Sequence, residues 1–146
     1  MGDRELYIRT AFRLIEKNTG KIVLQSSLYE TVPWGFESSH LFLNAAVVVE
    51  TDLTPLESLR ITQQIEKNIG RKVKTHQTYT DRIIDIDIVM YDELIMKTEE
   101  LTIPHPLFHL RSFVLLPLSE IAPDVVHPVL GKTIGELNLT STTLPT

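Results

Sequence analysis

The chain has 146 residues, 42% of them hydrophobic and 23% charged, with a formal net charge of −5 and no cysteine. This suits one domain with a single core over residues 1–146, without the composition of a disordered chain. It excludes disulfides, thiolate catalysis and Cys-type zinc sites, and it disfavours broad nucleic-acid binding. No apolar run reaches bilayer length, so no membrane partner is expected, and MGDRELYIRT lacks a signal-peptide apolar region, so the expected location is the cytoplasm.

Residues 3–19 are predicted to be a helix. Asp3 can cap it, Tyr7, Ala11, Leu14 and Ile15 form its apolar stripe, and Gly20 is the expected stop. KIVLQSSLYETV, 21–32, reads as a strand, PWGFESSHL as a loop, and FLNAAVVVET, 42–51, as a second strand apolar enough for a sheet interior. Thr54-Pro55-Leu56-Glu57 combines a capping box with proline at the first helical position; Ile61, Ile65 and Ile69 follow at spacing four, and Gly70 is the expected end. Residues 70–82 read as a polar, basic loop, and 83–91 as a strand. After a turn at Asp92-Glu93, LIMKTEELTIP reads as a short hairpin. HPLFHLRSFVLLPLSEIAP reads as one or two short helices broken near Pro117, followed by a short helix near 133–138 and a frayed Thr-rich end. The order α-β-β-α-β-(ββ)-α predicts an α+β sandwich with an antiparallel or mixed sheet.

The chemistry concentrates in DRIIDIDIVMYD. At period two, Ile84, Ile86, Ile88 and Met90 face the core, while Asp85 and Asp87 share the other side, ~7 Å apart along the strand. Two such carboxylates can hold hard cations, and Mg²⁺ favours one or two carboxylates together with substrate phosphates. A bare D-x-D is more often two solvated acids, so its neighbours decide. Upstream, Arg71, Lys72, Lys74 and Arg82 face only Asp81, a cationic stretch suited to phosphate oxygens. Downstream lie His105, His109 and Arg111. The two histidines have a zinc-pair spacing, but Pro106 intervenes and the HExxH glutamate is absent. Arg111 can clamp a phosphate or cap a helix. Phe42 and Phe113 are core residues by default, and an aromatic pair can also sandwich a flat heterocycle. Walker A, G-x-G-x-x-G and G-x-S-x-G sequences are all missing.

FLNAAVVVET, DRIIDIDIVMY and ELTIPHPLFHLRSFVLLPLSEIAP together resemble the 6-hydroxymethyl-7,8-dihydropterin pyrophosphokinases of folate biosynthesis, over residues 2–138. R-x-x-D-x-D combined with P-H-x(5)-R-x-F is specific; D-x-D alone is not. The resemblance implies a ferredoxin-like α+β fold, ATP as co-substrate, two Mg²⁺ ions, and pyrophosphate transfer to the pterin alcohol with release of AMP. Carried over by position, Asp85 and Asp87 hold both metals, and Arg82 joins them as a catalytic residue. Arg71, Arg82, His105 and Arg111 meet the phosphates, and Leu101 and Thr102 meet adenine through backbone. Asn44 reads the polar edge of the pterin with the backbone around Thr31 and Pro33, and Phe42 and Phe113 sandwich its ring. Glu66 matches a helix acid to which no role is given.

The departures concern the loop and the start. Tyr79 stands where tryptophan is usual, Val73 or Lys74 where a second loop arginine is usual, and Glu100 where some members have arginine. Lysine lacks the two-pronged geometry of arginine. Members usually begin with a strand and a G-S-N-L-G-D-R stretch, whereas this sequence opens at Met1-Gly2-Asp3-Arg4. In a 4-1-3-2 sheet that strand would neighbour the DID segment, so the resemblance leads to the expectation of native residues upstream. The alternative function is a non-catalytic ferredoxin-like binding module. A D-x-D nuclease or sugar-nucleotide transferase would leave Asn44, the aromatic pair and the His105/Arg111 group as coincidence.

Overall fold

A computed structural model describes residues 2–31, 42–73 and 84–140, which divide into two compact units. Among the described residues no helix is long and apolar enough to cross a membrane.

The first unit comprises Met1–Val23 and Val49–Asp87. Helix α1 (Gly2–Asn18) lays its expected stripe against helix α2 (Pro55–Val73). Ala11, Ile15, Ile65 and Ile69 are buried together, with Tyr7, Leu14, Ile61, Ile84 and Ile86 packed around them. Burying one such isoleucine contributes about 1.5–3 kcal/mol, so this seam holds the unit together. The Asn18 side-chain amide donates to Leu14 O, and Thr19 donates both its N–H and its hydroxyl to Ile15 O, which closes α1. Gly20 is therefore not a left-handed stop. It opens strand β1 (Gly20–Gln25), where a Cβ would stand 2.1 Å from Glu50 O of strand β4 (Val47–Thr51). Close backbone approach is what demands glycine there.

The capping box of α2 forms as expected: Thr54 N–H donates to Glu57 Oε1 at 2.8 Å, and Glu57 N–H to Thr54 Oγ1 at 3.2 Å. The helix does not end at Gly70 but continues to Val73, which takes Arg71 out of the expected loop and into helical backbone. A Cβ on Gly70 meets nothing within 4 Å. Gly70→Ala should therefore stabilise the protein by about 0.5–1 kcal/mol through helix propensity, seen as a higher urea midpoint with unchanged slope.

The second unit comprises Leu24–Val48 and Ile88–Thr146. The strands expected over 21–32 and 42–51 are each interrupted. Strand β2 (Tyr29–Thr31) pairs antiparallel with β3 (Phe42–Asn44), Tyr29 opposite Asn44, while β1 pairs with β4. Between them Ser26 N–H donates to Ala46 O, and Ala46 N–H donates to the buried Ser26 hydroxyl. From there to the Tyr29–Asn44 pair, two residues stand opposite one, the count of a β-bulge. A hydroxyl replacing a carbonyl in the ladder leaves no mark on hydrophobic periodicity.

The expected hairpin forms from β5 (Met96–Lys97) and β6 (Thr102–Ile103), followed by a cis Ile103–Pro104 bond. A 3-10 turn (Phe108–Leu110) leads to α3 (Ser112–Ile121). Pro117 does not break this helix; it is fully buried inside it. Its missing N–H removes one bond in the middle of a ten-residue helix, a loss set against burial of the ring. Helix α4 (Ile134–Thr140) has its own Thr133–Glu136 capping box, with 2.9 and 3.1 Å bonds. Phe108, Leu115, Leu118, Ile134 and Leu137 form the core of this unit.

The chain is thus mixed α+β, but among the described residues the strands form three two-stranded sheets rather than one continuous sheet. Residues 84–90 join no ladder. Alternation predicts which side chains face inward; it does not supply the neighbouring strand that defines a ladder.

Candidate functional site

The DID segment keeps its period-two pattern without being a ladder strand. Ile84, Ile86 and Ile88 are half-buried, while Asp85 and Asp87 are exposed between them. Ile84 and Ile86 are gripped by the α1–α2 seam, which turns both carboxylates outward to the same side. Glu66 of α2, beside the buried Ile65, accepts the Ile86 N–H at 2.6 Å. A carboxylate thus takes the backbone donor that a strand would otherwise take, and it pins the residue between the two aspartates. Sequence reading gave Glu66 no role; its one signal was an acid next to the apolar stripe.

This donor set suits a hard divalent cation that completes its shell with substrate oxygens. Both aspartates are exposed to solvent, and two carboxylates at alternate positions of an extended segment are ligands of the oxygen type such ions prefer. Among the described residues no group of three His, Cys, Asp or Glu converges as a self-sufficient metal set. The Arg71 side chain lies outside the described residues, as do Lys74, Tyr79 and Arg82.

The second unit carries the remaining candidates. In the hairpin turn, Thr98 N–H and hydroxyl both donate to Leu101 O, and Leu101 N–H donates back to the Thr98 hydroxyl. Leu101, itself buried, therefore has its backbone groups committed. The Thr98–Leu101 bond makes that pair a hydrogen-bonded one, so the next pair, Lys97 and Thr102, is of the other kind. The Thr102 N–H and C=O accordingly point away from Lys97, an edge fit to read a heterocycle. His105 N–H donates to Val89 O at 2.9 Å, and its Nδ1 accepts the Leu107 N–H at 3.3 Å. With Nδ1 accepting that bond, Nε2 is the ring nitrogen that carries a proton. The Arg111 guanidinium lies 5.9 Å from the centre of the half-buried Phe113 ring, a cation–π contact that joins the base of the 3-10 turn to α3.

Asn44 ends β3 opposite Tyr29, and the backbones of Thr31 and Phe42 are paired with one another. The Thr31 and Phe42 side chains, and all of Pro33, lie outside the described residues. The other histidine of the sequence pair, His109, is not directed with His105 to one point. It meets His127 edge-on at 5.9 Å, and His127 stacks on Phe108 at 5.3 Å.

His127, 4% exposed, accepts the Val129 and Leu130 N–H groups on Nδ1. Burial, with His109 beside it, holds its pKa below the ordinary histidine range. A histidine kept neutral by the fold stabilises the native state fully above its unfolded pKa, and that contribution is lost as pH falls below it. The urea midpoint should therefore fall between pH 7.5 and 5, and His127→Phe should flatten that dependence; an equally steep fall in the variant would assign it to other groups.

The model of the 7,8-dihydro-6-hydroxymethylpterin-pyrophosphokinase (HPPK) family matches residues 1–123. A 2-amino-4-hydroxy-6-hydroxymethyldihydropteridine pyrophosphokinase of Porphyromonas gingivalis is 42% identical over 130 residues, covering 88% of each chain. The enzyme of the same name from Bacillus subtilis is 42% identical over 126 residues, 86% of this chain and 74% of that one. Among solved structures, Plasmodium falciparum HPPK-DHPS wild type with STZ-DHP superposes with a TM-score of 0.70 at 22% identity, covering 97% of this chain and 39% of that one. The last shows a shared fold, and the first three show shared descent over nearly the whole length: the chain belongs to the 7,8-dihydro-6-hydroxymethylpterin-pyrophosphokinase family.

Proposed function

We infer that the chain transfers pyrophosphate from ATP to 6-hydroxymethyl-7,8-dihydropterin, releasing AMP, with Asp85 and Asp87 as its metal-holding residues. The reaction is that of its family, a 2-amino-4-hydroxy-6-hydroxymethyldihydropteridine pyrophosphokinase in folate synthesis, and relatives at 42% identity bear that name. The observation that carries the residue assignment is the outward pair of carboxylates on a segment clamped by Ile84, Ile86 and Glu66.

Two Mg²⁺ ions held there would neutralise the triphosphate oxygens and lower the pKa of the pterin hydroxyl. The chain's own groups do the rest. Glu66 keeps the aspartates in place through Ile86. Arg71, Arg82 and Arg111 meet phosphate oxygens, Arg82 as the cation nearest in sequence to the reacting pair. His105 donates from Nε2. Thr102 reads adenine along its outward backbone edge; Leu101, whose backbone is engaged by Thr98, supports that edge from beneath. Asn44 reads the polar rim of the pterin, with the backbone near Thr31 and Pro33, and Phe42 and Phe113 flank the ring, Phe113 offering the face that Arg111 does not cover. With positioning and charge neutralisation supplied, no side-chain base is required. The cytoplasm and a ferredoxin-like sheet order complete this reading.

The direct test is product identity: Mg-ATP and the pterin alcohol should yield AMP and no ADP. Release of neither would favour the non-catalytic binding module. Phe113→Ala should raise KM for the pterin roughly tenfold or more, since an aromatic contact contributes about 0.5–1.5 kcal/mol beyond its buried area, and should leave KM for ATP nearly unchanged. Loss of ATP binding alone would contradict the sandwich role.

A further inference from the structure

Glu120, near the C-terminal end of α3, has no part in the reaction as described. Its carboxylate nevertheless gathers four polar contacts from one short stretch of chain. It accepts the Ser27 N–H at 3.0 Å on Oε1 and 3.3 Å on Oε2, and the Ser27 hydroxyl at 3.2 Å on Oε2. It also accepts the Tyr29 hydroxyl at 2.7 Å on Oε1. A phenol donating to a carboxylate makes a strong, charge-assisted bond. The two groups perturb each other as that bond requires: the Tyr29 hydroxyl is held above its ordinary range and Glu120 below the usual carboxylate range, each chiefly by the other.

What the bond connects matters more than its strength. Tyr29 lies directly opposite Asn44 in the β2–β3 pair, and residues so paired place their side chains on one face, about 4.5–5.5 Å apart at Cβ. Glu120 follows Phe113 by seven residues on α3, two turns along the same helix face. Helix α3 packs on both β2 and β3. The tether therefore joins the helix face that carries Phe113 to the strand pair that carries Asn44.

We propose that Glu120 and Tyr29 are positioning residues for the pterin, fixing the strand pair that carries Asn44 against the helix face that carries Phe113. The proposal rests on the assignment of Asn44 and Phe113 to the pterin. Neither tether residue touches the substrate; each sets the gap into which the flat ring slides. Because Glu120 is exposed and Tyr29 only half-buried, either can be replaced without opening the core.

Tyr29→Phe and Glu120→Ala should each raise the pterin KM about three- to tenfold, the effect of one lost hydrogen bond, while the ATP KM stays within about twofold. The double variant should be no worse than the worse single one, since both remove the same bond. Glu120→Gln, which keeps an acceptor for Tyr29, should recover much of the lost pterin affinity. Equal rises in both KM values, an additive double variant, or a lowered urea midpoint with an unchanged pterin KM would each overturn the proposal. Asn44→Ala and Phe113→Ala run alongside. If those two also leave the pterin KM unmoved, it is the pterin-site assignment that fails; if they raise it while the tether variants do not, only the positioning role fails.

Discussion

Asp85→Asn and Asp87→Asn should each cut kcat/KM by on the order of 10³-fold or more, with the fold intact. Each exchange is nearly isosteric and falls on an exposed side chain, so packing of Ile84 and Ile86 into the α1–α2 seam is undisturbed. What is lost is charge at the position proposed to hold the cation. Lewis-acid stabilisation at a phosphoryl centre supplies several kcal/mol, and each 1.36 kcal/mol is about a factor of ten in rate, which sets the expected size. AMP release under saturating Mg-ATP measures the rate, and a urea titration confirms folding. Turnover within a few-fold of the unaltered chain in either variant would remove that aspartate from the site.

The second large effect is on stability. Phe108→Ala should cost about 3–5 kcal/mol, a large fraction of the roughly 5–15 kcal/mol that holds a typical domain. Phe108 is 1% exposed, packed with Leu115, Leu118, Ile134 and Leu137, and covered on one ring face by His127. Removing the ring opens a cavity beneath the 3-10 turn and strips the stacking partner from a buried histidine. That turn lies between His105 and Arg111, both assigned to the phosphates, so ATP affinity should weaken at urea concentrations below the main transition. The measurement is a urea titration followed by fluorescence, with ATP KM determined alongside. A loss under about 1 kcal/mol would mean the core closes over the gap and that Phe108 is not the anchor of this segment.

Much of this architecture is legible in the residues, for identifiable reasons. The stripe of α1, the reciprocal cap of α2, the short helix α4 and the β5–β6 hairpin depend on neighbours within a few positions, so local chemistry suffices. The alternation in residues 84–88 likewise marks which side chains go inward. Pairing is harder, because it depends on distant partners. The bulge after Ser26 arises from a hydroxyl replacing a ladder acceptor, and the DID segment gives its Ile86 donor to Glu66 rather than to a strand. Gly20 looks like a helix stop until Glu50 is placed against it. Pro117 looks like a break until its burial inside α3 is known. The Glu120–Tyr29 tether and the Phe108–His127 stack link positions far apart in the chain, and periodicity carries no signal for either. Of the candidate site, the exposure of Asp85 and Asp87 between inward isoleucines was readable from the period-two spacing, whereas the metal, pterin and nucleotide assignments came from the family resemblance.

The most direct test of the aspartate pair is a count of bound divalent ions. Mn²⁺ titrated into the protein with a non-hydrolysable ATP analogue and a pterin, followed by electron paramagnetic resonance, should give two ions per chain. The Asp85→Asn/Asp87→Asn double variant should hold neither beyond what the analogue binds by itself. Two ions retained by that double variant would contradict the assignment, because the metals would then be held elsewhere.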